Sequence, residues 1–280
     1  MSVSDNLVRR ARPWLGTIVE IGVLNGNDTV IEAGFAEIAR IHRLMSFHEE
    51  ASDLTKLRAS QPNEPIELAP DTVTVLRIAD QLNVATDGLF NIAIGRQLVR
   101  SHFLPRMDIE HLGRFAGDAR DIEIIDNRHV KLHRRMLIDL GGIAKGYAVD
   151  CAVAALQKAG VVAGIVNAGG DLRVFGDAEM PIEVRMANGG LSAPFILQNC
   201  AVASSENART RRTVRGQIAT PHIGRGAQPV AVDHTVTVIA NTCVISDAIT
   251  KVAMVDPGLA DSLLKEHDGY VVRYAMSDAA

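Results

Sequence analysis

Three short stretches gather residue types that do chemistry. Asp139 to Asp150 reads Asp-Leu-Gly-Gly-Ile-Ala-Lys-Gly-Tyr-Ala-Val-Asp, Asn167 to Asp171 reads Asn-Ala-Gly-Gly-Asp, and Asp247 is followed by Thr250 and Lys251. Gly141 and Gly142 let backbone N–H groups approach a ligand closely. Lys145 adds a full charge. A helix starting there adds orphan N–H donors and the positive end of its dipole. That set suits a phosphate or pyrophosphate. The carboxylates of Asp139, Asp171 and Asp247, with backbone oxygens, suit Mg²⁺. The competing reading is a tight strand-to-helix turn with a solvated lysine, because the spacing matches neither the P-loop nor G-x-G-x-x-G. The residues alone reach a phosphorylated ligand, with Mg²⁺ as its candidate companion.

Other chemistries find no support. No G-x-S-x-G occurs, and Cys151 falls among apolar helical positions. His129 and His133 are four apart but run along a strand, which is not zinc spacing. His48, Glu49 and Glu50 are adjacent and do not converge on one helix face, so they read as a solvated turn. Cys151, Cys200 and Cys243 sit in apolar stretches and read as buried thiols.

The elements that must position these residues follow from periodicity. Met136 to Leu140 reads as a strand entering the glycine turn, and Ala148 to Lys158 as the helix leaving it, with Gly160 as its C-cap. Thr17 to Val23 is a strand, and Thr29 to Met45 and Thr72 to Ala85 are amphipathic helices. Ser52 reads as the N-cap of a short helix. Asp121–Ile125 and His129–Leu132 form a hairpin. Val161–Val166 and Leu172–Phe175 flank the second glycine turn. Ile182–Met186, Phe195–Val202, Thr235–Ala240 and Gly269–Tyr274 are further strands. Ser204 to Ala208 reads as a hydroxyl-rich turn before the arginine-rich segment 209–215, and Gln217 to Gly226 as a loop. Ser246 caps a helix Asp247–Val255, which Pro257-Gly258 ends, and Leu259–Glu266 is a last helix. Antiparallel connections argue against a doubly wound dinucleotide fold.

At 280 residues, with 47% hydrophobic and 22% charged, the chain buries a full core. Aromatic content of 4% and a net charge of -4 argue against a nucleic-acid role. No run reaches transmembrane length, and Met1 to Asn6 has no apolar leader or lipid-attachment cysteine. The expected compartment is cytoplasmic, or periplasmic if a leader has been removed.

Leu15-Gly-Thr17, Ser46-Phe-His48, Ser52 to Leu57, Gly88-Leu-Phe-Asn91, Asp139 to Asp150, Asn167 to Asp171, Ala201 to Asn207 and Asp247 to Lys251 fall in an order that resembles the ApbE flavin transferases. The resemblance spans nearly the whole chain. It implies an α+β fold of tandem T-fold-like halves, with antiparallel sheets and long helices. Residues 1–280 would then form one domain of two intertwined halves, with FAD between them. It implies that FMN passes from FAD to a threonine or serine hydroxyl of a target flavoprotein, with Mg²⁺ assisting and AMP leaving. Splitting of FAD by water to FMN and AMP, and FAD binding without catalysis, are the alternatives. Carried over, Leu15, His48, Gly88, Leu89, Phe90, Asp139, Lys145, Asn167, Asp171 and Ile218 touch FAD. Gly142, Asp247 and Thr250 form the metal site, and Asp247, Lys145 and His222 are the catalytic candidates. The chain departs from the family pattern at Lys251 (usually threonine), His48 (tyrosine), Gln217 (histidine), Glu206-Asn207 (Gly-Asp) and Asn91 (aspartate).

Overall fold

A computed structural model describes residues 7–274. Strand β1 (Leu7–Trp14) turns back through Leu15-Gly16 into β2 (Thr17–Leu24), and α1 (Asp28–Met45) follows. Next come α2 (Asp53–Ala59), β3 (Pro65–Glu67), α3 (Pro70–Ala85), α4 (Gly95–Arg100), β4 (Ile122–Ile124) and β5 (His129–Leu132). Helix α5 (Ala144–Lys158) leads into β6 (Gly164–Ala168), β7 (Asp171–Phe175), β8 (Met180–Ile182), β9 (Phe195–Leu197) and β10 (Ala201–Ser205). The chain ends with β11 (Arg212–Val214), β12 (Gln217–Ala219), β13 (Thr235–Ala240), α6 (Cys243–Ala253), α7 (Pro257–Leu264) and β14 (Tyr270–Tyr274). This is an α+β protein, as the sequence predicts. Among the described residues no helix is long and apolar enough to cross a membrane.

The described chain divides into two compact units whose segments alternate along the sequence. The first takes residues 7–42, 143–208 and 232–274, and the second takes 43–142 and 209–231.

The first unit is a seven-stranded sheet in the order β1-β2-β6-β7-β10-β13-β14, with every pairing antiparallel. Period-two alternation assigns the side chains. On one face Ile165, Leu172, Val174, Val202 and Ile239 pack with Met180, Ile182 and Leu197. On the other face β2 sends Val19, Ile21 and Val23, all fully buried. There α5 and α6 lie on the central strands. The second unit holds the small antiparallel sheet β3-β5-β4, the hairpin β11-β12 and helices α2 to α4.

Several boundaries move for physical reasons. Met136–Leu140 is not a strand. It is a buried apolar run whose backbone pairs with the loop before α4, Gly95 N–H to Leu137 O at 2.9 Å and Asp139 N–H to Ile92 O at 2.9 Å. Burial on all sides gives a strand-like composition without a sheet. Strand β1 carries four arginines and prolines among eight residues, Leu-Val-Arg-Arg-Ala-Arg-Pro-Trp, which hides it from a hydrophobic reading. It is an edge strand, where charge and proline are tolerated. The stretch 195–202 is two strands, β9 and the start of β10, in different sheets. Residues 183–186 lie beyond β8, and Arg185 keeps only an isolated bridge to Leu191. Ser204 and Ser205 complete β10 instead of forming a turn, and part of the expected loop 217–226 is β12. Pro257 does not merely end a helix. It opens α7, with Asp256 as N-cap accepting from Leu259 N–H. Cys243 alone of the three thiols is buried; Cys151 and Cys200 are half-buried.

Helix α6 starts at Cys243, a turn before the expected Asp247. No side chain of its own caps it. The cap comes from α5: Asp150 accepts from Cys243 N–H at 3.0 Å and from Val244 N–H at 2.8 Å. Ser246 lies inside the helix and bonds back to Thr242 O at 2.8 Å. Helix α5 has no cap of its own either, and Asp247 of α6 accepts from its Gly146 N–H at 3.1 Å. Each helix thus caps the other. The contact requires glycine at 146, because a Cβ there would lie 2.2 Å from the Cys243 carbonyl oxygen. A Gly146→Ala variant is expected to lose about 3 kcal/mol or more, although alanine favours helix by about 1 kcal/mol. Urea unfolding of the two proteins checks this.

Candidate active site

The first unit brings six of the expected site residues onto one side of its sheet or to its hairpin tips. Lys145 stands in the first turn of α5, not before the helix as expected. Its Nζ contacts Oδ2 of Asp171, the first residue of β7. Odd residues of β7 face the helices, so Arg173, two residues on, reaches Asp150 at 2.8 Å. Lysine keeps 30% of its side chain accessible, whereas Asp171 keeps 4%. The anion is therefore buried beneath the cation.

Asp247 is fully buried on α6. Besides Gly146 N–H on Oδ2, its Oδ1 holds Lys251 Nζ one turn further along the helix. Its backbone oxygen accepts from Lys251 Nζ at 2.9 Å and from the Thr250 hydroxyl at 2.7 Å. Thr250 is bonded in turn to Ser205 of β10 at 2.8 Å. Sequence reasoning names Asp247, Thr250 and Lys251, and places Ser205 in a hydroxyl-rich turn, whereas it ends β10 and bonds Thr250.

Ala168 and Asp171 flank the two-residue turn Gly169-Gly170, both glycines with positive φ, and Asn167 Oδ1 accepts from Gly170 N–H at 2.8 Å. Leu15 occupies the neighbouring turn in a left-handed conformation, φ 56°, unusual for leucine. The two tips adjoin, since a Cβ on Gly169 would meet the Thr17 hydroxyl at 2.4 Å.

The second unit holds the remaining expected residues. Asp87 and Gly88 take positive φ in the loop after α3. Thr86 accepts from Phe90 N–H at 2.9 Å, and Asn83 donates to Phe90 O at 2.8 Å. Leu89 and Phe90 are buried, so this loop offers a ligand its main chain more than those side chains. A cleft of about 680 Å³ beside it is lined by Gly88, Asn91, Arg96, Arg134 and Arg225. The three arginines were not singled out from sequence, because they are far apart in the chain. Ile218, 56% exposed on β12, lines a second cleft of about 790 Å³ with Arg100, Arg106 and Arg215. His48 is exposed beside the buried Phe47 ring. Asp139 Oδ2 accepts from Gly141 N–H at 3.2 Å, one residue before Gly142. The His222 backbone oxygen accepts from the Thr220 hydroxyl and Val230 N–H, both at 2.8 Å.

Burial acts on Asp247, Lys145, Asp150 and Cys243 of the α5–α6 cluster. It would raise the Asp247 carboxyl, but Lys145, Lys251 and the Gly146 N–H outweigh it and hold Asp247 below the usual carboxylate range. Burial pushes the Lys145 ammonium down against the pull of Asp247, with Lys251 adding to the depression. Asp150 is pushed up by burial despite its N–H partners and Arg173. Burial, with Asp150 and Asp247 nearby, raises the Cys243 thiol well above its ordinary value, which leaves it an inert neutral group.

A divalent cation does not fit the Asp247 site as it stands. Such an ion takes about six oxygen ligands. Here the carboxylate oxygens already carry an ammonium and an N–H, and the Thr250 oxygen is bonded on two sides. Among the described residues no group of three or more His, Cys, Asp or Glu could hold a metal.

The described chain is thus an antiparallel α+β scaffold with a lysine seated on a buried aspartate in the first turn of α5. The ApbE family model matches residues 15–272, and the chain belongs to that family. The FAD:protein FMN transferase of Vibrio cholerae is 24% identical over 78% of this chain and 70% of its own. That of Rhodobacter capsulatus is 28% identical over 83% of this chain, which spans about half, 48%, of that relative's length. The crystal structure of the ApbE protein of Thermotoga maritima superposes with a TM-score of 0.80 at 26% identity, over 95% of this chain and 94% of that one.

Because Asp247 is depressed, its stabilisation is complete above its unfolded pKa, near about 4, and is lost as pH falls through the folded value. The uncharged pair Asp247→Asn, Lys251→Met is expected to lose less stability than the wild type between pH about 7 and about 3. Urea midpoints at the two pH values measure the difference.

Proposed function

We propose that this protein is a flavin transferase, moving FMN from FAD to a threonine or serine hydroxyl of an acceptor flavoprotein and releasing AMP. Membership of the ApbE family and the names of its curated relatives support the reaction class. The observation that carries it to these residues is Lys145, half-exposed over the buried Asp171 at the start of α5. An ammonium held there stabilises charge on a pyrophosphate without reorganising. The positive end of the α5 dipole, with the first-turn N–H groups that Asp247 does not take, reinforces it.

The acceptor oxygen attacks the phosphorus of the FMN half. A new P–O bond forms, the pyrophosphate P–O bond breaks, and its electron pair leaves on AMP. We assign the hydroxyl proton to His222, since Gln217 cannot take one. Lys145 neutralises the transferring and leaving oxygens, and Asp171 fixes where it does so. Leu15, His48, Asn167, Ile218, Asp139 and the main chain of Gly88 to Phe90 are assigned to holding FAD.

Incubation with FAD and an acceptor protein carrying a Thr or Ser site tests the reading. A fluorescent acceptor band on a denaturing gel, matched by AMP, is expected. AMP without a band would mean hydrolysis, and neither signal from folded protein would overturn the proposal. Lys145→Met, Asp171→Asn, which keeps the buried pair neutral, should slow transfer about 100-fold. His222→Gln should lower kcat about 100-fold with little change in KM for FAD.

A further inference from the structure

The carboxylate on which a divalent cation would sit already holds a cation. Asp247 lies fully buried, and its Oδ1 and backbone oxygen both accept from the ammonium of Lys251. The two residues are four apart on α6, so the helix itself fixes the contact. An ammonium has three N–H donors. Two are spent on Asp247. Among the described residues the third finds no partner, and 20% of the Lys251 side chain is accessible. Thr250 is not available to replace it, since its hydroxyl donates to Asp247 O and is bonded to Ser205.

We propose that Lys251 replaces the divalent cation in this protein, its free N–H donating to a non-bridging oxygen of the FAD pyrophosphate. This rests on the flavin-transfer reading above. Two lysines, each seated on a buried aspartate, would then grip the pyrophosphate: Lys145 over Asp171 and Lys251 over Asp247. The arrangement is chemically distinct from a metal site. A divalent ion on one carboxylate leaves a net positive charge, whereas the lysine–aspartate pair is neutral. Lys251 therefore acts as a fixed hydrogen-bond donor and dipole rather than as a Lewis acid. It also needs no free ion, so transfer should be indifferent to chelators.

The full-length wild type and Lys251→Thr are titrated with Mn²⁺, followed by electron paramagnetic resonance, and assayed for FMN transfer in EDTA and in Mg²⁺. The wild type is expected to bind no Mn²⁺ up to about 1 mM, and its transfer rate to change less than about twofold on chelation. Lys251→Thr is expected to bind one Mn²⁺ and to slow about tenfold or more on chelation. One tightly bound Mn²⁺ on the wild type, with transfer stopped by EDTA, would overturn the proposal. So would Lys251→Met, folded by circular dichroism, transferring at the wild-type rate in EDTA. If no protein transfers FMN under any condition, the flavin-transfer reading fails. The Mn²⁺ titration then still decides whether Lys251 occupies the cation position.

Discussion

The reciprocal capping of α5 and α6 is the constraint on which the site depends. Neither helix begins with a side chain that satisfies its own first N–H groups. Each takes a carboxylate from the other, Asp150 in one direction and Asp247 in the reverse. Helix starts left unsatisfied in a buried setting are costly. The two helices can therefore be satisfied only together, at one separation and one register. Gly146 sets that separation by letting α5 approach the Cys243 carbonyl. Lys145 and Lys251 are placed by the same contact, because each stands one residue or one turn from a capping interaction.

The cost of burying so many ionisable groups is contained by pairing them. Asp171 with Lys145, Asp150 with Arg173, and Asp247 with Lys251 leave no buried charge alone among these six. Breaking such a pair from one side typically costs about 3–5 kcal/mol. The pairs also couple to one another, since Asp247 feels both Lys145 and Lys251. A change at one lysine is then felt at the other aspartate, and single substitutions here will not add independently.

Much of this was legible in the sequence. The glycine turns, Lys145, Asp171, Asp247 and the oddity of Lys251 stand out by residue type and spacing. Helices α1, α3 and the Ser52 cap of α2 follow from local pattern, because their determinants lie within a turn or two. The misses share a cause: the deciding partner is distant in the chain. The start of α6 cannot be placed without knowing that Asp150 reaches it across 93 positions. Ser246 looks like a cap in the sequence because nothing local says otherwise. Met136 to Leu140 looks like a strand because burial on all sides mimics one. Strand β1 was invisible because an edge tolerates arginines that a central strand does not. Gly146 has no local signal for its role, which is against another helix.

The layering of the two lysine–aspartate pairs limits the range over which they could act on an anion. The chain as a whole carries -4, which repels a pyrophosphate from afar. Each pair is neutral, so it adds little at a distance. Close in, however, the accessible lysines lie above buried aspartates, and the nearer charge dominates. Attraction therefore begins only within a few ångströms of the surface, well inside the ~8 Å over which physiological salt screens charge. On the proposed function, these two pairs would then act on a pyrophosphate by contact and contribute little to steering it.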